Sequence, residues 1–123
     1  MGHHDSFGAV WQINNWIQID FGQTIANISW VEVIKRAGVE DRISNVEARI
    51  GMSPLPGSFG YLPISTGNSL CGTFLTGTTD PVLWFNCSQP LTGRYLTLQS
   101  IIWAFLEVDE IYVHGERLTI AVV

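Results

Sequence analysis

From Trp16 to Phe21 apolar and polar side chains alternate without a slip, and Gly22 follows. Ile17, Ile19 and Phe21 share one face, and Gln18 and Asp20 share the other. This is the pattern of a half-buried strand. Runs of the same kind recur along the chain, each cut by Gly or Pro. Ile28–Lys35 is apolar on both faces, with Val31 and Val33 on one and Trp30 and Ile34 on the other, as in the middle of a sandwich. Val46, Ala48 and Ile50 alternate with Glu47 and Arg49 up to Gly51. Cys71–Leu75 and Val82–Cys87 read as a hairpin-like pair, and Gly93–Gln99 as a further strand with Leu96 and Leu98 inward. No stretch carries a convincing helical period. The expectation is an all-β sandwich or barrel of short strands with long end loops.

One strand carries an irregularity. Over Phe105–His114, Leu106 and Val108 fall on one parity and Ile111 and Val113 on the other, so the period slips by one at Asp109-Glu110. An extra residue in one strand of a pair produces such a slip, and a β-bulge of this kind re-aims side chains. Glu110 is therefore a candidate ligand. Between Gly51 and Ser69, three prolines (Pro54, Pro56, Pro63) with Gly57, Gly60 and Gly67 specify a long loop, with Phe59 and Tyr61 expected to pin it to the body. The apolar tail Leu118–Val123 is far too short to span a membrane and suits an extra strand.

At 123 residues the chain is expected to form one domain, 1–123, large enough to bury a core without metals. Five Trp, six Phe and three Tyr among many Val, Ile and Thr favour strands. A net charge of -5 makes nucleic acid and anionic membranes poor partners. The start, Met1-Gly2-His3-His4-Asp5, is polar, and His3 and His4 are assigned no chemistry. Two sequons, Asn27-Ile28-Ser29 and Asn86-Cys87-Ser88, are compatible with secretion. Cys71 and Cys87 are either free buried thiols or one bridge.

Four of the six basic residues fall within Lys35–Gly51. Arg36 and Arg42 bracket a short Gly-containing loop there. Guanidinium forks on one loop suit hydroxyls, carboxylates or phosphates, and the alternative is a pair of solvated surface arginines. No Gly-x-Ser-x-Gly elbow, phosphate-binding loop, His-Glu-x-x-His or Cys-x-x-Cys is present. His114, late in the last strand, reads as a packed or exposed strand residue rather than a general base. An enzyme is not expected.

The run Trp16-Ile17-Gln18-Ile19-Asp20-Phe21-Gly22 resembles the core strand of discoidin-type (coagulation-factor type C) domains. Arg36…Arg42-Ile43-Ser44-Asn45-Val46-Glu47-Ala48-Arg49-Ile50-Gly51, Asn68-Ser69-Leu70-Cys71-Gly72, Phe85-Asn86-Cys87, Gly93-Arg94-Tyr95-Leu96-Thr97-Leu98 and Asp109-Glu110-Ile111-Tyr112-Val113-His114-Gly115 resemble the F-type lectin, or fucolectin, branch of that superfamily. The similarity spans roughly residues 14–115, in family order.

The resemblance implies a discoidin-like jelly-roll β-sandwich that binds terminal L-fucose between loops at one end. In that family two Arg and one His hydrogen-bond the sugar, a disulfide between adjacent Cys packs against it, and a structural calcium lies nearby. Arg36 and Arg42 match the two Arg, with the loop between them one residue shorter than in the family. Gly38 stands where an Asp is usual, and Val39-Glu40 replaces the adjacent Cys pair. No His lies near Gly8, where the family has one. Cys71 and Cys87 match a family disulfide in position and spacing, which favours the bridge. Asp109 replaces one Cys of a second family disulfide, and the region near Ser6 lacks the other. Glu110 matches a calcium ligand, while the family's other ligands come from an N-terminal loop with no counterpart here.

Complete family domains carry further strands before the Trp16 region. The chain is therefore expected to be a fragment, or a short form capped by its tail, and it is open whether it forms homo-oligomers or belongs to a larger multidomain parent. The leading expectation is an extracellular fucose-type lectin module with a weakened site. The alternatives are a non-lectin discoidin module for cell adhesion, protein docking or lipid head groups, and an inactive structural copy.

Overall fold

Leu96, Leu98, Ile17, Val31, Val33, Ile111 and Val113 form the centre of one apolar cluster, and they come from the longest strands of the chain. The computed structural model describes residues 7–8, 16–35, 45–57, 59–60, 67–74, 80–100, 107–115 and 119–121. These make β1 (Phe7–Gly8), β2 (Trp16–Lys35), β3 (Val46–Gly51), β4 (Phe59–Gly60), β5 (Ser69–Phe74), β6 (Val82–Ser100), β7 (Glu107–His114) and β8 (Thr119–Ala121). Pairing is antiparallel throughout, in the order β1-β7-β2-β6-β3-β5, with β4 also on β2 and β8 on β7.

Two expected pairs of short strands are each one long strand. The residues read as Trp16–Phe21 and Ile28–Lys35 are the two halves of β2, and Val82–Cys87 and Gly93–Gln99 are the two halves of β6. Gly22 does not end its strand. It takes φ +78°, a value open to glycine at little cost, and the strand continues. The register between β2 and β6 shifts three times between Asp20 and Trp30, with Asn27 at φ 53°. Such bulges bend a strand, so each strand serves both layers. Trp16–Asp20 pairs with Tyr95–Gln99, which pairs onward with β3 and then β5. Trp30–Ile34 lies between Val82–Asn86 and β7. The inner faces of both halves meet in the one cluster, which gives the β-sandwich.

β5 hydrogen-bonds to β3, so the hairpin expected between Cys71–Leu75 and Val82–Cys87 does not form as a ladder among the described residues. The two segments are joined covalently instead, as described below. Trp30 and Ile34 are half-buried rather than core. The slip in β7 is a bulge: Ile34 pairs with Glu110 but Lys35 with Val108, leaving Asp109 as the extra residue. Val108, Ile111 and Val113 are all fully buried as a result. The tail forms β8 against β7.

The Pro-rich loop is held by polar clamps. Gln18 Nε2 donates to the carbonyls of Leu55 (2.9 Å) and Gly57 (2.8 Å), and its Oε1 accepts from the Leu55 N–H at 2.6 Å. Asn68 grips Ser53 through two further bonds. The expected anchors, the side chains of Phe59 and Tyr61, lie outside the described residues; the Phe59–Gly60 backbone pairs with Trp16 and Ile17.

Candidate functional site

Strand ends define one pole of the sandwich. β2 ends there at Lys35, which is buried and whose N–H donates to the Pro81 carbonyl at 2.8 Å. β6 begins beside it, with Val82 in register with Ile34, and β7 begins there with Val108 in register with Lys35. In the other layer β3 starts at Val46 opposite Ser100, the last residue of β6. Asn45, at φ 53°, leads into β3, a backbone state that Asn tolerates better than most residues. Segments 36–44, 75–79 and 101–106, which adjoin these strand ends in sequence, lie outside the described residues.

Arg36 and Arg42 belong to segment 36–44, as do Gly38, Val39, Glu40 and Asp41, and all lie outside the described residues. What is described is the frame of their loop: a buried lysine at one end, and at the other an asparagine in the left-handed region.

Cys71 and Cys87 form a disulfide. Cys71 is buried on β5, which belongs to the layer of β3. Cys87 directly follows Asn86, which pairs with Trp30 in the other layer. The bridge therefore ties an edge strand of one layer to the opposite layer.

Glu110, one residue past the bulge, accepts a hydrogen bond from the Tyr112 hydroxyl. This bond, made to the carboxylate, and partial burial hold the phenol above its ordinary pKa. Among the described residues, no three His, Cys, Asp or Glu side chains gather into a group that could hold a metal. The described donors around Glu110 therefore do not make up a calcium site.

At the opposite pole, Arg94 reaches Asp20 with both arms of its guanidinium, at 2.7 and 3.1 Å. Asp20 also accepts from the Gly22 N–H at 2.8 Å. The Arg94 bond, then the Gly22 bond, hold the Asp20 carboxyl below its ordinary pKa. The pair is exposed, so it acts locally on the turn rather than as a large stabilising term.

His114 stacks on Trp30, so it is a packed strand residue as the sequence suggests. The sequence gives no sign of its surroundings. Trp84, Glu32 and Tyr112 share one cross-strand row beside it, a neighbourhood set by strand register that no motif encodes.

The fold is that of the F-type lectin/discoidin-like domain. It superposes on a fucolectin from striped bass (Morone saxatilis) serum with a TM-score of 0.67 at 24% identity, over 92% of this chain and 36% of that one. The lectin domain of lectinolysin, solved with the Lewis B antigen, matches with a TM-score of 0.63 at 17% identity, over 90% and 70% of the two chains. A fucose-binding module from Streptococcus pneumoniae matches with a TM-score of 0.56 at 13% identity, over 82% and 63%. The chain spans about a third of the bass lectin's length. By sequence, no family model and no curated protein matches it.

Proposed function

We propose that this domain is an extracellular carbohydrate-binding module that takes terminal fucose, with Arg36 and Arg42 of segment 36–44 as its polar contacts. The observation that supports this most is the fold match, over most of the chain, to structures named as fucolectins and fucose-binding modules. Lectin neighbours of this kind point to binding rather than catalysis. The Cys71–Cys87 bridge suits an oxidising, extracellular setting.

The chemistry follows from the groups. A guanidinium presents its N–H donors in a plane, so two of them can donate to the ring oxygen and hydroxyls of a sugar while its methyl face rests on apolar surface. Val39-Glu40 offers less apolar surface than a cysteine pair, and Glu40 and Asp41 are close enough in sequence to compete for the arginines. Both features make the affinity lower than in a site with the full family motif.

Titration calorimetry with L-fucose tests the reading. Binding is expected, and Arg36→Ala and Arg42→Ala should each weaken it by roughly tenfold to a hundredfold, the worth of one or two charge-assisted hydrogen bonds. No binding by the intact chain, with no change on Arg36→Ala, would refute it.

A further inference from the structure

The outer face of the sheet formed by Val82–Asn86, Trp30–Ile34 and β7 carries a cluster that the fucose reading does not use. Val31 and Val33 take the inner side of β2, so Trp30, Glu32 and Ile34 point outward. Register then fixes their neighbours. Glu32 lies between Trp84 on β6 and Tyr112 on β7, and Trp30 lies between Asn86 and His114.

The rings are locked together. The Trp30 indole stacks on the His114 imidazole with centroids 3.6 Å apart and planes 5° apart. Trp84 leans on Trp30 at 4.6 Å and 36°. His114 Nε2 lies 3.3 Å from Glu32 Oε1, which holds that carboxylate beside the rings. Trp84 nonetheless remains 46% exposed, against 5% for Trp16. The side chain is thus held by packing on one side and open on the other.

The charge on this face is one-sided. Among the described residues, its outward positions hold two carboxylates, Glu32 and Glu110, and no Lys or Arg. Lys35, next in β2, has the inward parity and is buried.

We propose that this face docks an arginine side chain of a protein partner, its guanidinium stacked on the open face of Trp84 and its edge turned to Glu32. An apolar partner would take both carboxylates out of water, Glu32 with the His114 ring beside it and Glu110 with the Tyr112 hydroxyl, and would add no full positive charge to answer them. A lysine would answer the charge but not the flat ring. A guanidinium answers both, by stacking on an indole and by donating in its plane to a carboxylate. The net charge of -5 draws such a partner in. The proposal uses strand residues and none of segment 36–44, so it stands whether or not the chain binds fucose.

The probe is N-acetyl-Gly-Arg-Gly-amide, titrated at low salt into the isotopically labelled intact chain and followed by NMR. Its counterpart carries citrulline, which has the shape of arginine without the charge. The Trp84 indole N–H, assigned through its loss in Trp84→Phe, should shift saturably with the arginine peptide. The citrulline peptide should bind at least about fivefold more weakly. Glu32→Gln should weaken binding several-fold. Asp20→Asn, which removes one charge in the other half of β2, should leave affinity within about twofold. Trp84→Phe keeps a ring and should retain part of the affinity, and Trp84→Ala should lose it while the remaining amide spectrum stays folded. Equal shifts with arginine and citrulline, equal effects of Glu32→Gln and Asp20→Asn, or no saturable shift would each overturn the proposal.

Discussion

Asn68, only 6% exposed at the entrance to β5, offers a sharp test of how the Pro-rich loop is held. Its Oδ1 accepts from the Ser53 N–H and its Nδ2 donates to the Ser53 carbonyl, both at 2.9 Å. Its own carbonyl accepts from Arg49 Nη1 at 3.1 Å. Asn68→Ala removes the first two bonds and keeps the third. Ser53 is exposed, so water can reach its freed groups, and each lost bond should cost about 1 kcal/mol. The expected loss is about 2 kcal/mol. Gly51 lies against the same side chain: a Cβ there would meet Asn68 Cγ at 2.8 Å and Cα at 3.0 Å, as well as Oδ1. Gly51→Ala should therefore cost about 1–3 kcal/mol by overpacking. In the double variant the amide is gone, so of these three contacts the added methyl keeps the one to the Cα of residue 68. The two costs should then sum to less than their parts, with a coupling of about 1 kcal/mol. Urea denaturation of the four proteins, read by tryptophan fluorescence, measures this. Additivity within about 0.3 kcal/mol would mean that the Asn68 amide is not what excludes a side chain at Gly51.

Reducing the Cys71–Cys87 bridge, or replacing both with Ala, should lower stability by about 3 kcal/mol, because the chain it closes spans a separation of 16 residues; an unchanged denaturation midpoint under reductant would contradict this. Thr97 is 1% exposed and its Oγ1 has no hydrogen-bond partner among the described residues, so Thr97→Val should be neutral or stabilise by about 1 kcal/mol, and a clear loss in the same assay would show that the hydroxyl is used. The Asp20 carboxyl is held below its ordinary value of 3.8 by Arg94, so what the pair contributes is present above the unfolded value and is lost as pH falls through the folded one. Arg94→Gln should accordingly differ from the parent in melting temperature near neutral pH, with the gap closing as pH falls below the ordinary carboxylate range and shrinking in high salt, and a gap that does not depend on pH would rule the pair out as its source.

Where one residue decides the geometry, the sequence was a good guide. The parity change at Asp109-Glu110 shows as a slip among apolar positions because a strand with one buried face must keep Val108, Ile111 and Val113 on the same side, and only an extra residue allows it. Cys71 and Cys87 were different. Alternation placed them on two strands but left the bridge open, and only the family resemblance paired them. The long strands were not legible, because Gly22 read locally as a stop and Gly93 as the start of a separate strand. A bulged strand can pass through such residues where its partner bends with it. Gly93 does so because a Cβ there would meet the Gly51 backbone at 2.6 Å, a closeness of β6 to β3 that no local pattern signals.

Sites differ from folds in this respect, since a site depends on which residues meet across strands. Gln18 has the alternation of a solvated residue, yet its side chain makes three bonds to the loop 37 and 39 residues away. Glu32 likewise looks like an ordinary outward charge until register sets Trp84 on one side of it and Tyr112 on the other. Arg36 and Arg42 are the opposite case. Their chemistry is readable from residue type and from the resemblance, while what the described residues add is the two ends of their segment, Lys35 and Asn45. The two proposals call on unlike chemistry, guanidinium donors for a sugar and an acidic aromatic face for a cation. Because the first rests on loop guanidiniums and the second on packed strand residues, Arg36→Ala and Glu32→Gln should each abolish or weaken one kind of binding and leave the other unchanged.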